Sequence, residues 1–122
     1  MKSIKEWQQI IHRNAITKGF WHYVYQYDAV NEIIDIKNEK LLGLKIEDYN
    51  IPERLSLIHS EISEALECYR NRYDNIFRVE MADTVIRIFD LCEALDIDLE
   101  KEIEKKYKYN LNRAYMHGNK RC

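Results

Sequence analysis

The sequence predicts an all-α protein, a bundle of four to five helices in a single domain over residues 1–122. Three features predict it. Only three glycines and one proline interrupt 122 residues, too few for the turns of an all-β fold. Apolar residues recur at intervals of three and four along most of the chain. The periodic segments are bounded by residues that cap helices. Charged residues are 33% and hydrophobic residues 46% of the chain, the balance of a soluble globular domain. No apolar run approaches the ~18 residues of a membrane span. The N-terminal MKSIKEWQQII has no apolar signal region, so a cytoplasmic protein with no membrane partner is expected. Cys68, Cys92 and Cys122 form no CxxC or Cys/His cluster and read as free thiols rather than zinc ligands.

The first helix is expected over residues 3–17. Ile4, Trp7, Ile10, Ile11 and Ala15 lie on one face, Ser3 and Glu6 form a capping box, and Gly19 stands where a helix C-terminus favours glycine. Phe20, Trp21, Tyr23 and Tyr25 make an aromatic cluster suited to core packing, although Trp21 also offers a surface against which a nucleobase stacks. Residues 26–50 are read as a short helix from about Asp28 to about Leu42, then a loop from Gly43 to Asn50.

Asn50-Ile51-Pro52-Glu53 opens the second main helix, with Asn50 as cap and proline in the first turn. It should run to about Arg72 with Leu55, Ile58, Ile62, Ala65, Leu66 and Tyr69 as its buried stripe. The next, from about Asn75 to Leu95, should bury Val79, Ala82, Val85, Ile86, Phe89 and Cys92. Asp98 caps the last helix, Leu99 to about Arg113, whose apolar edge is Leu99, Ile103, Tyr107 and Leu111. Its other face carries Lys105, Lys106, Asn110 and Arg113. Residues 114–122 read as a flexible tail.

The chemistry concentrates in two acidic pairs, Glu61-x-x-Glu64 and Glu80-x-x-Asp83, each of which puts two carboxylates on one helical face. Both pairs border a core stripe on consecutive helices, so a hairpin brings four carboxylates together. Unpaired, they would repel strongly, and an oxygen-preferring divalent cation is the natural partner. Di-iron bundles use Glu-x-x-His on two helices, and this chain has no such motif, which favours Mg²⁺, or Mn²⁺, over iron. Charge is unevenly spread: residues 53–100 hold 12 acids and 5 bases, and residues 101–122 hold 7 bases and 2 acids. An acidic middle beside a basic end suits a metal site next to a phosphate site, and the bases are too sparse for a nucleic-acid surface. Arg87 and Asp90 continue the polar row beyond Asp83 and read as an outer ring of the site or an inter-helix salt bridge, with Asp90 a candidate fifth acid. His59 reads as structural.

The stretches NAITKGFW, LSLIHSEISEALECYRN and VEMADTVIRIFDLCEALDIDLEKEIEKKYKYNLNRAYMHG resemble the MazG-like all-α nucleoside triphosphate pyrophosphatases. The marks are E-x2-E, then E-x2-D, then K-x3-N-x2-R, and the resemblance covers about residues 4–22 and 52–120, leaving residues 23–51 as an unfamiliar insert. Ala114 stands where the family often has proline. The resemblance implies Mg²⁺-dependent cleavage of a nucleoside triphosphate between its α and β phosphates, giving a monophosphate and pyrophosphate. By similarity, Glu61, Glu64, Glu80 and Asp83 bind the metal, with Glu64 a candidate general base. Lys106, Asn110 and Arg113 contact phosphate or sugar, and Lys18 and Trp21 complete the substrate site. A homodimer or homotetramer with a shared site is also implied. The alternative is a MazG-like module that binds a nucleotide or a partner without catalysis.

Overall fold

The computed structural model describes residues 1–21, 25–27, 33–35 and 49–113. Four helices make up most of them: α1 (Ile4–Thr17), α2 (Ile51–Arg70), α3 (Asp74–Ala94) and α4 (Leu99–Leu111). Between α1 and α2 lies a two-stranded antiparallel ribbon, β1 (Tyr25–Tyr27) and β2 (Ile33–Asp35), with Gln26 opposite Ile34. Among the described residues the regular structure is therefore helical apart from this ribbon, in keeping with the all-α expectation. Among the described residues, no helix is long and apolar enough to cross a membrane.

The ribbon corrects the expected helix from Asp28 to Leu42. Consecutive β-branched residues at 33 and 34 and tyrosines at 25 and 27 favour a pleated backbone. A short apolar run of this kind satisfies either period, and strand pairing decided it. The rest of that expected helix, the loop after it up to residue 48 and the tail at 114–122 lie outside the described residues.

Local chemistry sets the helix ends. At α1, Ser3 Oγ accepts from the Glu6 N–H at 3.1 Å and the Ser3 N–H donates to Glu6 Oε1 at 3.1 Å, so both halves of the capping box form. Gly19, at φ +89°, reverses the chain after α1 in a conformation costly to any residue with a Cβ. Asp98 caps α4 by accepting from the Lys101 N–H at 3.1 Å. Asn50 departs from expectation. It adopts the left-handed conformation, at φ 54°, and its side chain makes no capping bond to α2. Asparagine tolerates this region better than most residues, so Asn50 holds the cap position through its carbonyl, which accepts from the Arg54 N–H at 3.0 Å, rather than through its side chain.

The helices α2 and α3 form the principal pair, α1 packs on α3, and α4 meets chiefly α1. Among the described residues the core comprises Ile16, Trp21, Tyr49, Leu91 and Ala94, with Ala15, Ile51, Ile58 and Leu95 packed against it. The buried Gln8 is fully paired. The Gln8 side chain donates from Nε2 to the Ile97 carbonyl at 2.9 Å and accepts at Oε1 from the Leu99 N–H at 3.1 Å, tying α1 to the turn between α3 and α4.

The buried faces are not the ones that periodicity selects. On α2, Ile58 and Ala65 are covered, but Leu55, Ile62, Leu66 and Tyr69 are exposed. On α3, Phe89 and Cys92 are half-buried while Val79, Ala82, Val85 and Ile86 face solvent. The row turned inward on α3 is instead Phe77, Glu80, Thr84, Arg87, Leu91 and Ala94, spaced by three and four residues. On α1, Gln8 and His12 are buried and Trp7 and Ile10 are exposed. Three helices are thus rotated from the expected apolar seam, and the α2–α3 contact encloses charged side chains.

Candidate metal centre

Glu61 and Glu64 follow each other by three residues on α2, and Glu80 faces them from the inward row of α3. One carboxylate oxygen from each lies within 4.8 Å of the others. The Glu61 side chain is only 13% exposed, Glu80 is half-buried and Glu64 is exposed, so the group is covered on one side and open to solvent on the other.

Three carboxylates this close cannot all keep their charge without a counter-ion. Two features offset the repulsion. Arg87 Nε, one and two turns along α3 from Thr84 and Glu80, donates to Glu61 Oε1 at 2.9 Å. The carboxyl groups of Glu61 and Glu80 also face each other, with unequal effect on their acidity. The contact with Glu80, reinforced by Arg87, holds Glu61 below the usual carboxylate range. The contact with Glu61, burial and the nearby Glu64 charge push Glu80 up to about 7. The Arg87 guanidinium and the suppressed ionisation of Glu80 both reduce the repulsion within the cluster. Glu80 Oε2 nevertheless remains buried and meets no hydrogen-bond partner. A buried carboxylate oxygen without a partner is costly, and a cation among three oxygens would satisfy it. The donor set, oxygen only and open on one side, fits Mg²⁺ or Mn²⁺.

Asp83 does not join this cluster. It is half-buried one turn along α3, a position away from the inward row Glu80–Thr84–Arg87. Three residues of helix advance the side chain by about 4.5 Å and turn it by about 60° from its neighbour's direction, enough to separate it from the α2 carboxylates.

Asp90 is likewise remote in role. Its carboxylate accepts from His12 Nδ1 at 2.7 Å and from Trp21 Nε1 at 3.0 Å, so it ties α1 and the chain after it to α3. Arg54 of α2 stacks over the Trp21 ring, 3.3 Å from its centroid, and donates to the Tyr49 and Phe20 carbonyls. Trp21 is 1% exposed, with His12 and Tyr49 edge-on to it. Trp21 as a substrate contact is therefore corrected: its ring is enclosed and its N–H is engaged, leaving no face for a base. Asp90, the candidate fifth acid, is committed to the same core network.

The expected phosphate contacts lie on α4. Lys106 and Asn110 line an open groove with Leu99, Glu102, Ile103 and Tyr107. Lys106 and Arg113 both approach the Tyr109 ring, at 4.6 and 5.5 Å from its centroid. The more extensive helix packing of the described residues is α2 on α3, α1 on α3 and α1 on α4, so α4 is not a principal partner of the helices that carry the carboxylates. Lys18 is an exposed residue at the C-terminal cap of α1, and His59 is exposed on α2.

Two participants carry little or no signal in the sequence. Cys68 lies half-buried one turn beyond Glu64, its thiol pushed up by burial and by the charges of Glu80, Glu64 and Glu67. Its spacing of four from Glu64 is the one local sign of its place. The Asp90 hub has no local sign at all, because its partners are 78 and 69 residues away in sequence.

Comparison with models of known protein families finds no match, and comparisons with curated proteins and with solved structures find none either.

Proposed function

We propose that this chain is a divalent-cation-dependent nucleoside triphosphate pyrophosphohydrolase of the MazG-like kind, which cleaves between the α and β phosphates. The observation that carries the reading is the cluster of Glu61, Glu64 and Glu80, with a buried, unpartnered oxygen on Glu80. Such a cluster has no evident structural benefit, since buried carboxylates cost stability unless something neutralises them.

In this reading Glu61, Glu64 and Glu80 hold Mg²⁺, or Mn²⁺ in its place. When bound, the cation neutralises phosphate oxygens and lowers the pKa of a coordinated water. Glu64, the exposed member, receives the proton of the attacking water. Lys106, Asn110 and Arg113 grip the polyphosphate and offset charge on the leaving pyrophosphate, the lysine as a point charge and the arginine as a planar fork. Asp83, one turn along α3, supports the cation from outside the triad.

Two observations support a homodimer or homotetramer. The α2–α3 pair leaves Leu55, Ile62, Leu66, Val79, Val85 and Ile86 exposed, and contiguous apolar surface of this kind marks association sites. The helix α4 packs chiefly on α1 rather than on the pair that carries the carboxylates, so a second copy supplies the basic face in this reading. Incubation with each common ribo- and deoxyribonucleoside triphosphate and Mg²⁺, followed by assay of pyrophosphate and monophosphate, tests the function. Tight nucleotide binding with no product would favour a non-catalytic binding module instead.

A further inference from the structure

We propose that Arg87 is a built-in counter-cation, which holds Glu61 while the acidic cluster is metal-free and gives it up when a divalent cation enters. The inference rests on the reading of Glu61, Glu64 and Glu80 as a cation site.

The geometry carries it. Arg87 Nε lies 2.9 Å from Glu61 Oε1, across the interface from α3 to α2. Glu61 is the most enclosed point of that contact, its side chain 13% exposed, whereas the Arg87 side chain is 41% exposed. The carboxylate is therefore fixed and the guanidinium has a path into solvent. Arginine cannot lose its proton in a protein, so it stands aside only by moving. A divalent cation must approach the same carboxylate to about 2 Å. Two cations then compete for one anion on the covered side of the cluster, where water screens them least.

The alternative role for such an arginine is support, a positive group that orients a ligand and strengthens the site. The two roles predict opposite signs. A supporting arginine raises metal affinity, and a competing one lowers it.

The test is Mn²⁺ binding to the full chain without nucleotide, measured by calorimetry or electron paramagnetic resonance at fixed pH and ionic strength. Arg87→Gln is expected to bind Mn²⁺ at least about tenfold more tightly than the wild type. Equal or weaker binding by Arg87→Gln, with normal binding by the wild type, overturns the inference and leaves the metal site standing. Absence of Mn²⁺ binding by the wild type removes the metal site, and the inference falls with it. A second measurement needs no folded glutamine variant. In nitrogen-15 spectra of the wild-type protein, the Arg87 Nε–H signal, assigned by its loss in Arg87→Lys, is expected to be protected without metal. It should shift and exchange rapidly with solvent on Mg²⁺ saturation. A signal unchanged by saturating Mg²⁺ would show that the ion pair stays closed, and would overturn the proposal.

Discussion

Glu61 of α2 and Glu80 of α3 face each other across the helix pair with unequal acidities, Glu61 held below the usual carboxylate range and Glu80 pushed up to about 7. The inequality follows from position: Arg87 faces Glu61 and stabilises its charge, while Glu80 has burial and the Glu64 charge against it. Two helices thus meet at carboxyl groups whose repulsion a proton or a cation would relieve.

The first prediction concerns pH. Glu80 has a folded-state pKa of about 7, raised from 4.5. The folded chain therefore holds one more proton than the unfolded chain between those values. By linkage, this contribution to stability is complete below about 4.5 and is lost as pH rises through about 7. In the presence of EDTA, the melting temperature should fall across that interval. Glu80→Gln, which keeps a donor at all pH values, should flatten the fall. Saturating Mg²⁺ should also flatten it, because the cation replaces the proton. Thermal melts followed by circular dichroism from pH 5 to pH 8 measure this, and a melting temperature that rises with pH would contradict it.

Substitutions in the acidic group should have graded effects. Glu61→Gln, Glu64→Gln and Glu80→Gln each remove an oxygen from the triad, and each should lower Mg²⁺-dependent hydrolysis by more than about 100-fold with helicity retained. Asp83→Asn lies outside the triad and should cost about 10- to 100-fold, the range of groups that support ligands rather than bind metal. Normal turnover in Glu61→Gln would remove the metal assignment. Equal loss in Asp83→Asn would place that residue among the ligands.

The aromatic and acidic hub around Asp90 should report on stability, not on substrate. Asp90→Ala leaves the buried N–H groups of His12 and Trp21 without their carboxylate, at about 1–3 kcal/mol for each unpaired donor. Trp21→Ala should cost about 3–5 kcal/mol, the range for truncating a buried aromatic side chain. Urea unfolding measures both. Trp21→Phe, which keeps most of the volume, should leave the KM for a nucleoside triphosphate within about threefold of wild type once folded, since a change below about 0.7 kcal/mol is not loss of a stacked base. A KM increase of tenfold or more would restore Trp21 to the substrate site.

Association should depend on the exposed rows of α2 and α3. The wild-type chain at micromolar concentration should give a light-scattering mass at least twice the 14.8 kDa of one chain. Ile62→Glu or Val85→Glu should shift it toward a single chain, since each puts a charge into an apolar contact while sparing the core around Trp21. A monomeric wild-type mass would contradict the assembly.

The helix ends are largely legible in the sequence. Ser3 and Glu6, Gly19, Pro52 and Asp98 act within a few residues of themselves, and three of the four helix starts and the turn after α1 follow from such local chemistry. The acidic pairs are legible for the same reason, because spacing along a helix sets which side chains share a face. Asn50 and the ribbon are not, since left-handed turns and short strands depend on the chain they join. Trp21 is ambiguous in the sequence, and only its neighbours in the fold resolve it.

What the sequence by itself determined, then, is a helical chain with two acidic pairs on consecutive helices and a basic face on the last. Which faces meet was a tertiary decision. Periodicity ranks Ile62, Leu66, Val79 and Val85 as core, because local patterning counts apolar area and charges carboxylates with the cost of leaving water. The fold instead turns Glu61, Glu80 and Arg87 toward one another, since an ion pair across the interface and the suppressed ionisation of Glu80 offset that cost. Those compensations join residues 19 and 26 positions apart on two helices, and no reading of either helix alone contains them.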